Sequence, residues 1–174
     1  MEKQPVCRSP AIGRYNGGVP FVIRNFQPDD FETLWHIDQQ CFPPGISYSR
    51  PELKGYIRHR GSFTLVAGNA GMTEAEKRIG GFIIAHSGLT GHIVTIDVIP
   101  SARRSGVGSL LLEAAEKELR TAGSRAVGLE TAVDNLPALA FYKRHGYHVL
   151  RTWPRYYSNG VDALVLRKEL ASNP

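Results

Sequence analysis

The chain has 174 residues, 42% of them apolar and 21% charged, with a formal net charge of +5 and a pI near 9.4. That length and composition suit one globular domain able to bury a core without staples, and they exclude a low-complexity or fibrous chain. The positive charge favours an anionic ligand or partner without choosing among a phosphorylated cofactor, a nucleic acid and an acidic protein.

Cys7 and Cys41 are the two thiols, so a disulfide scaffold is not expected. No apolar run reaches about 18 residues, so no membrane span is expected. The opening "MEKQPVCRSPAIGRYNGGVP" lacks the apolar stretch of a secretory signal. A soluble, cytoplasmic protein is expected. Residues 1–19, rich in Pro, Gly, Asn and Arg without periodicity, read as a flexible tail ahead of a single domain over 20–172.

"FVIRNF" reads as a first strand. In "DDFETLWHIDQQCF" the residues Phe31, Leu34, Ile37, Cys41 and Phe42 fall at helical spacing, with Asp29 or Asp30 as N-cap. "PPGISYS" is a loop, and "RPELKGYIRHR" a shorter helix with Pro51 in its first turn. "SFTLVAG", "RIGGFIIAHSG" and "GHIVTIDVIP" follow as an antiparallel meander. A helix from about Gly106 to Ala122 carries the apolar stripe Val107, Leu110, Leu111, Ala114, Ala115, Leu119 and Ala122.

"RAVGLETAV" is a strand that should lie parallel to "GHIVTIDVIP", since a helix joins them. "NLPALAFYKRHG" is a helix capped by Asn135. "YHVLRTWPRYY" and "DALVLRKEL" close the chain as strands joined through "SNGV", where Asn159-Gly160 is a hairpin signal. The order β-α-α-β-β-β-α-β-α-β-β predicts an α/β (α+β) fold, a mixed sheet with helices on both faces.

The junction "VIPSARRSGVG" has the makings of a pyrophosphate cradle. Glycines at a strand-to-helix turn let backbone amides approach an anion, and the helix N-terminus adds about half a positive charge. Arg103 and Arg104 bring fork-like donors. No Gly-Lys-Ser/Thr follows, so it is not a P-loop, and Leu111 stands where a dinucleotide motif needs its third glycine. Taken locally, two glycines relieving a tight turn beside two hydrated arginines would read the same way.

The junction also resembles the acyl-CoA signature of the GNAT N-acetyltransferase superfamily, Val-x-Pro followed by Arg/Gln-x-x-Gly-x-Gly/Ala, with Arg103, Gly106 and Gly108 in its named positions. "NLPALAFYKRHGY" is similar to that family's second motif through Asn135, Ala138, Tyr142, Gly146 and Tyr147. The element order from Phe21 to Leu170 matches as well. The resemblance is greatest to protein N-terminal acetyltransferases of the ribosomal-protein alanine type.

It implies acetyl-CoA as co-substrate, held between splayed strands. Ile96, Asp97 and Val98 would offer main-chain groups. Arg103, Arg104, Ser105, Gly106, Val107, Gly108 and Ser109 would wrap the pyrophosphate, and Asn135 would touch the pantetheine arm.

Acetyl transfer to an amine needs the amine neutral and the departing thiolate protonated. By resemblance Tyr142 is the proton donor; by spacing alone it is a core aromatic. Glu130 lies in an otherwise apolar strand, where a lone carboxylate is costly unless paired, hydrated or facing a cleft. The resemblance makes it a base working through water. His92 aligns with a tyrosine that helps the base in one subgroup, and a histidine changes charge near neutral pH; by position alone it reads equally as a surface histidine at a strand start. No metal-ligand spacing is present among the histidines.

"RYYSNGVDALVL" resembles the segment that frames the peptide slot of N-terminal acetyltransferases. The likeness places Tyr156 and Tyr157 on the substrate backbone, and Phe42, Pro43 and Ile46 around its first side chain. Without it, two tyrosines before an Asn-Gly turn are cross-strand packing residues. An α-amine, with pKa about 8 against about 10.4 for lysine, is the easier target for one carboxylate.

The loop "CFPPGISYS" lacks the signatures of the best-matched subgroups, which leaves the acceptor open. The rivals are a small amine, an amino acid or a lysine side chain. A non-catalytic acyl-CoA-binding domain and a nucleic-acid-binding domain are weighed against Tyr142, Glu130 and the unclustered charge. The expected partners are an amine acceptor, a protein or peptide N-terminus, with no nucleic acid and no membrane, and a monomeric or homodimeric state.

Overall fold

The computed structural model describes residues 12–13, 21–69 and 78–170. β1 (Ile12–Gly13) pairs with β2 (Phe21–Asn25), so this much of the expected tail is strand; the rest of that tail, with Cys7, lies outside the described residues. α1 (Phe31–Cys41) and α2 (Arg50–Arg58) follow, then β3 (Ser62–Asn69), β4 (Ile79–His86) and β5 (Thr90–Val98). α3 (Val107–Thr121), β6 (Ala126–Ala132), α4 (Leu136–Arg144), β7 (His148–Trp153) and β8 (Ala163–Glu169) complete the order. The sheet runs β1-β2-β3-β4-β5-β6-β8-β7, with β5 and β6 parallel and every other pair antiparallel.

Each face of the sheet is covered where its side chains are apolar. Leu34, Ile37 and Leu53 of α1 and α2 pack on Val66, Phe82 and Ile84. Leu111, Leu112 and Leu119 of α3, with Tyr142 of α4, pack on Leu65, Ile83, Leu129 and Leu166 across the other face. β4 is covered on both sides, and so reads as a continuous apolar run, buried from Ile79 to Ala85. Its Gly81 is required by close approach, because a Cβ there would run into the Asp97 carbonyl.

Local chemistry sets the helix boundaries. Ser49 and Glu52 cap α2 reciprocally, each accepting from the other's amide. Asp30, expected to cap α1, instead accepts from the Gln27 amide at 2.8 Å and pairs with Arg24 at 2.7 Å. Its backbone is already helical, so its carboxylate turns back along the chain.

In α3 the expected stripe holds for Val107, Leu111, Ala115 and Leu119, but Ala122 is exposed just past the helix end. Leu112 and Glu116 are buried in addition, because β8 and Tyr147 lie beside that face. Glu116, 3% exposed, binds Lys168 Nζ at 2.7 Å and accepts from the Tyr147 hydroxyl at 3.1 Å. Glu116→Ala strands the lysine and is expected to cost about 3–5 kcal/mol in urea unfolding.

Two local departures position the site. The register between β4 and β5 skips Val94, which bulges out between the Ala85–Ile93 and Ile84–Thr95 pairs. Ile93 and Ile96 can therefore both pack on the α3 side while Val94 packs on the α1 side. At the other end, the expected strand "YHVLRTWPRYY" stops at Trp153 and β8 starts at Ala163. The Asn159-Gly160 turn sits within a longer loop. There Gly160 N donates to Tyr157 O, and Arg155 (φ 50) donates its amide to Asp162 at 2.7 Å.

Candidate active site

β5 and β6 pair only from Thr90–Ala126 to His92–Gly128 and then part. β6 stays bonded to β8 as far as Ala132, so among the described residues Ile93–Val98 of β5 has no strand on its β6 side. The turn to α3 lies at the wide end of this opening. Gly106 takes φ 89, a left-handed conformation that glycine adopts without strain, and nothing lies within 4 Å of where its Cβ would be. No side chain caps α3, so its first amides face open space beside the exposed Arg103 and Arg104. The residues present therefore fit a diphosphate at the turn and an extended arm between the strands.

Several predicted coenzyme residues have side-chain groups already engaged. Arg103 Nε donates to Val98 O at 2.9 Å, which occupies one of the main-chain groups expected to meet the coenzyme and folds the guanidinium over the end of β5. Ser105 Oγ donates to Ala102 O, and Ser109 Oγ is 2.9 Å from His145 Nε2. These serines retain their amides. Asn135 Oδ1 accepts from the Ala138 amide as the α4 cap, leaving its Nδ2 free to reach the cleft. Gly108 lies against Phe141, and Val107 is buried in the core.

The bulge turns Asp97 toward α1, where it is 1% exposed and accepts from Thr95 Oγ1 at 2.5 Å. Burial pushes its carboxyl well above the usual carboxylate range, against the lowering by Thr95. Asp38 of α1 is buried too; its Oδ2 accepts from the Tyr48 amide at 2.8 Å. Burial pushes Asp38 up from 3.8 to about 6, against the lowering by Tyr48 and Gln39. One oxygen of each carboxylate has no partner.

An acid whose folded pKa is raised stabilises fully below its unfolded pKa and loses that contribution as pH rises through the folded one. Between pH 4 and 7, Asp38→Asn should thus gain about 2 kcal/mol relative to the parent chain, read from paired denaturation curves.

At the parting of the strands His92 Nε2 lies 2.7 Å from Glu130 Oε2; the histidine side chain is 42% and the carboxylate 17% exposed. Both belong to the α1–α2 face, since their neighbours Ile93 and Leu129 face α3. Burial, then the Glu130 charge, then Tyr56 push the Tyr156 phenol up. Tyr157 is raised by burial first, with Tyr156 and Glu130 adding. So the Glu130 charge is felt by both tyrosines.

The loop bearing Phe42, Pro43 and Ile46 meets the tyrosine loop directly, as Ser158 Oγ donates to Gly45 O at 2.9 Å. Phe42 and Ile46 are half-buried and Pro43 is exposed. Tyr142, 5% exposed, packs in the cluster on the α3 side of the sheet. It packs edge-on against Phe141 and Tyr147, and burial, then Asp97 and Tyr157, raise its phenol above 10.

Sequence reading missed Tyr48 and Tyr56. Their rings meet at 4.9 Å, and the Tyr48 hydroxyl donates to Val94 O at the bulge. Nothing local marks them, because an aromatic on an amphipathic helix or at a loop end reads as packing. Among the described residues no cluster of His, Cys, Asp or Glu could hold a metal ion, and no helix is long and apolar enough to cross a membrane.

A mixed sheet that opens between two parallel strands, with an uncapped helix N-terminus at one end and a carboxylate–histidine pair at the other, is an architecture for acyl transfer from a long, diphosphate-bearing thioester. The acetyltransferase (GNAT) family model matches residues 31–147, and the chain belongs to that family. It is 28% identical over 161 residues to an N-alpha-acetyltransferase of Saccharolobus solfataricus, covering 88% of this chain and 95% of that one.

Ard1 from Thermoplasma volcanium superposes with TM-score 0.77 at 27% identity, covering 87% of this chain and 99% of that one. Arabidopsis thaliana NAA60, solved with acetyl-CoA, shares the fold with TM-score 0.76 at 18% identity, over 86% and 98% of the two chains. The chain is an N-acetyltransferase of that family, whose members draw on acetyl-CoA as donor.

Proposed function

We propose that this acetyltransferase modifies the α-amine at the N-terminus of a protein or peptide, with Glu130 as base, His92 as its positioning partner and Tyr142 as proton donor. The observation that carries the reading is the 2.7 Å Glu130–His92 pair, placed where β5 and β6 part. The similarity to an N-alpha-acetyltransferase over most of both chains supports it.

Acetyl-CoA supplies an acetyl group activated as a thioester. Glu130 takes a proton from the acceptor ammonium, directly or through one water, and frees the lone pair. An α-ammonium, with pKa about 8, yields that proton more readily than a lysine at about 10.4. His92 holds Oε2 of the carboxylate and keeps the other oxygen turned to the acceptor. Tyr142 keeps its proton, because burial raises it, and so has one to donate where sulfur departs.

Tyr156 and Tyr157 hydrogen-bond the acceptor backbone, and Phe42, Pro43 and Ile46 wall its first side chain. Arg103 to Ser109 hold the diphosphate, and Ile96, Asp97, Val98 and Asn135 the arm. The working unit is a cytoplasmic domain spanning 20–172, as monomer or homodimer.

The test is coenzyme consumption over a peptide library varying the first two residues, beside the same peptides with blocked N-termini. Free peptides should react and blocked ones should not. Equal rates on blocked peptides, polyamines or free amino acids would move the assignment to a lysine or small-amine acetyltransferase.

A further inference from the structure

We propose that Arg151, stacked on Trp153, binds an acidic side chain at the third or fourth residue of the acceptor polypeptide and so selects among N-termini that share their first two residues. This rests on the acceptor being a polypeptide N-terminus.

Sheet register supplies the geometry. Glu130 of β6 is paired with Val165 of β8, and Val165 with Arg151 of β7, so the three lie in one row across the sheet. The register shift at Leu150 sets Arg151, and not its neighbour, on that line. Paired residues point to the same face, which puts the Arg151 side chain on the face that carries Glu130.

Two inter-strand spacings separate them, ~10 Å. An extended chain advances ~3.3 Å per residue, so an acceptor whose amine meets Glu130 and which runs toward the sheet edge passes Arg151 at residue three or four.

The path between is lined for a peptide. Tyr157, Tyr156 and Trp153 form a ladder of rings with centroids 5.0 and 5.4 Å apart, ending on the edge strand. Trp153 is 46% and Tyr156 42% exposed, and every residue of β7 is exposed. The helices that shield the central strands on this face stand over β3 to β5, which leaves the β7 end of the row open.

Arg151 lies with its guanidinium 5.1 Å from the Trp153 ring centroid, held in place by the ring. Among the described residues it has no carboxylate partner, whereas Arg24, Arg50, Arg120 and Arg167 each have one. A fixed, unneutralised guanidinium fits a carboxylate with two parallel hydrogen bonds.

The experiment uses the full chain with acetyl-CoA and peptides identical at their first two residues, carrying Glu, Ala or Lys at positions three and four. Glu peptides should exceed Ala peptides in kcat/KM by about five- to tenfold, chiefly through KM, with Lys peptides lowest. Arg151→Glu should reverse the order, and Trp153→Ala should bring the three within about twofold, both with an unchanged coenzyme KM.

Brisk but equal turnover of the three peptides by the parent chain overturns the inference alone. So does an Arg151→Glu chain that slows all three alike, or a Trp153→Ala chain that keeps the discrimination while changing its oligomeric state, which would make the edge a contact between copies. If blocked peptides react as fast as free ones, the α-amine reading fails and takes the inference with it.

Discussion

Glu130→Gln is expected to lower kcat/KM for peptide acceptors by about 10²–10³-fold, or roughly 3–4 kcal/mol of barrier, while leaving coenzyme affinity unchanged. The amide keeps the shape of the carboxylate and can still bond His92, now 2.7 Å from Oε2, so the fold loses no packing. What it loses is a group that accepts a proton. His92→Ala should cost about tenfold, since the carboxylate survives and only its orientation relaxes. Steady-state kinetics on both variants checks this. A Glu130→Gln enzyme within threefold of the parent would remove the carboxylate from the chemistry and shift attention to the neighbouring tyrosines.

Gly106→Asp should separate coenzyme binding from folding. At φ 89 a side chain costs about 1 kcal/mol, and aspartate is among the residues that best tolerate this region. Nothing within 4 Å clashes with the new Cβ. A carboxylate at a helix N-terminus contributes about 0.3–1 kcal/mol in its favour, which offsets most of the strain. The variant should therefore melt close to the parent.

The same carboxylate occupies the space where the diphosphate is to lie. Acetyl-CoA affinity should fall by about 100-fold, or ~2.7 kcal/mol, by calorimetry. An unchanged affinity in a stable variant would mean that the diphosphate binds elsewhere, and the family placement of the cradle would not hold for this chain.

The strand-to-helix turn was legible because its chemistry is local: Gly106 and Gly108 act through their backbone, Arg103 through its guanidinium, and the three lie close together along the chain. The alternation of "SFTLVAG" and the apolar run of "RIGGFIIAHSG" were legible as strands for the same reason. Glu130 stood out as the polar exception in an apolar strand, and the structure gives it a partner, His92, 38 positions away. The boundary at Trp153 was only partly legible: Pro154 cannot donate to a ladder, but the aromatics of "TWPRYY" favour strand by propensity, and the Arg155–Asp162 and Gly160–Tyr157 bonds that close the loop are made by residues farther along.

The sequence by itself determined the element order from β2 onward and the glycine-bearing turn ahead of α3, because periodicity, capping and backbone permissiveness depend on neighbours along the chain; the family came from the likeness of two short motifs. Tertiary structure alone decided that Val94 bulges and so sends Asp97 toward α1 and away from the α3 core. It alone decided that Gly45 meets Ser158 between two loops far apart in the chain, that Tyr48 and Tyr56 pack ring to ring, and that Arg151 shares a row with Glu130. Register across a sheet is the reason. One skipped residue exchanges the faces of all that follow, and no window of sequence records which strands will lie side by side.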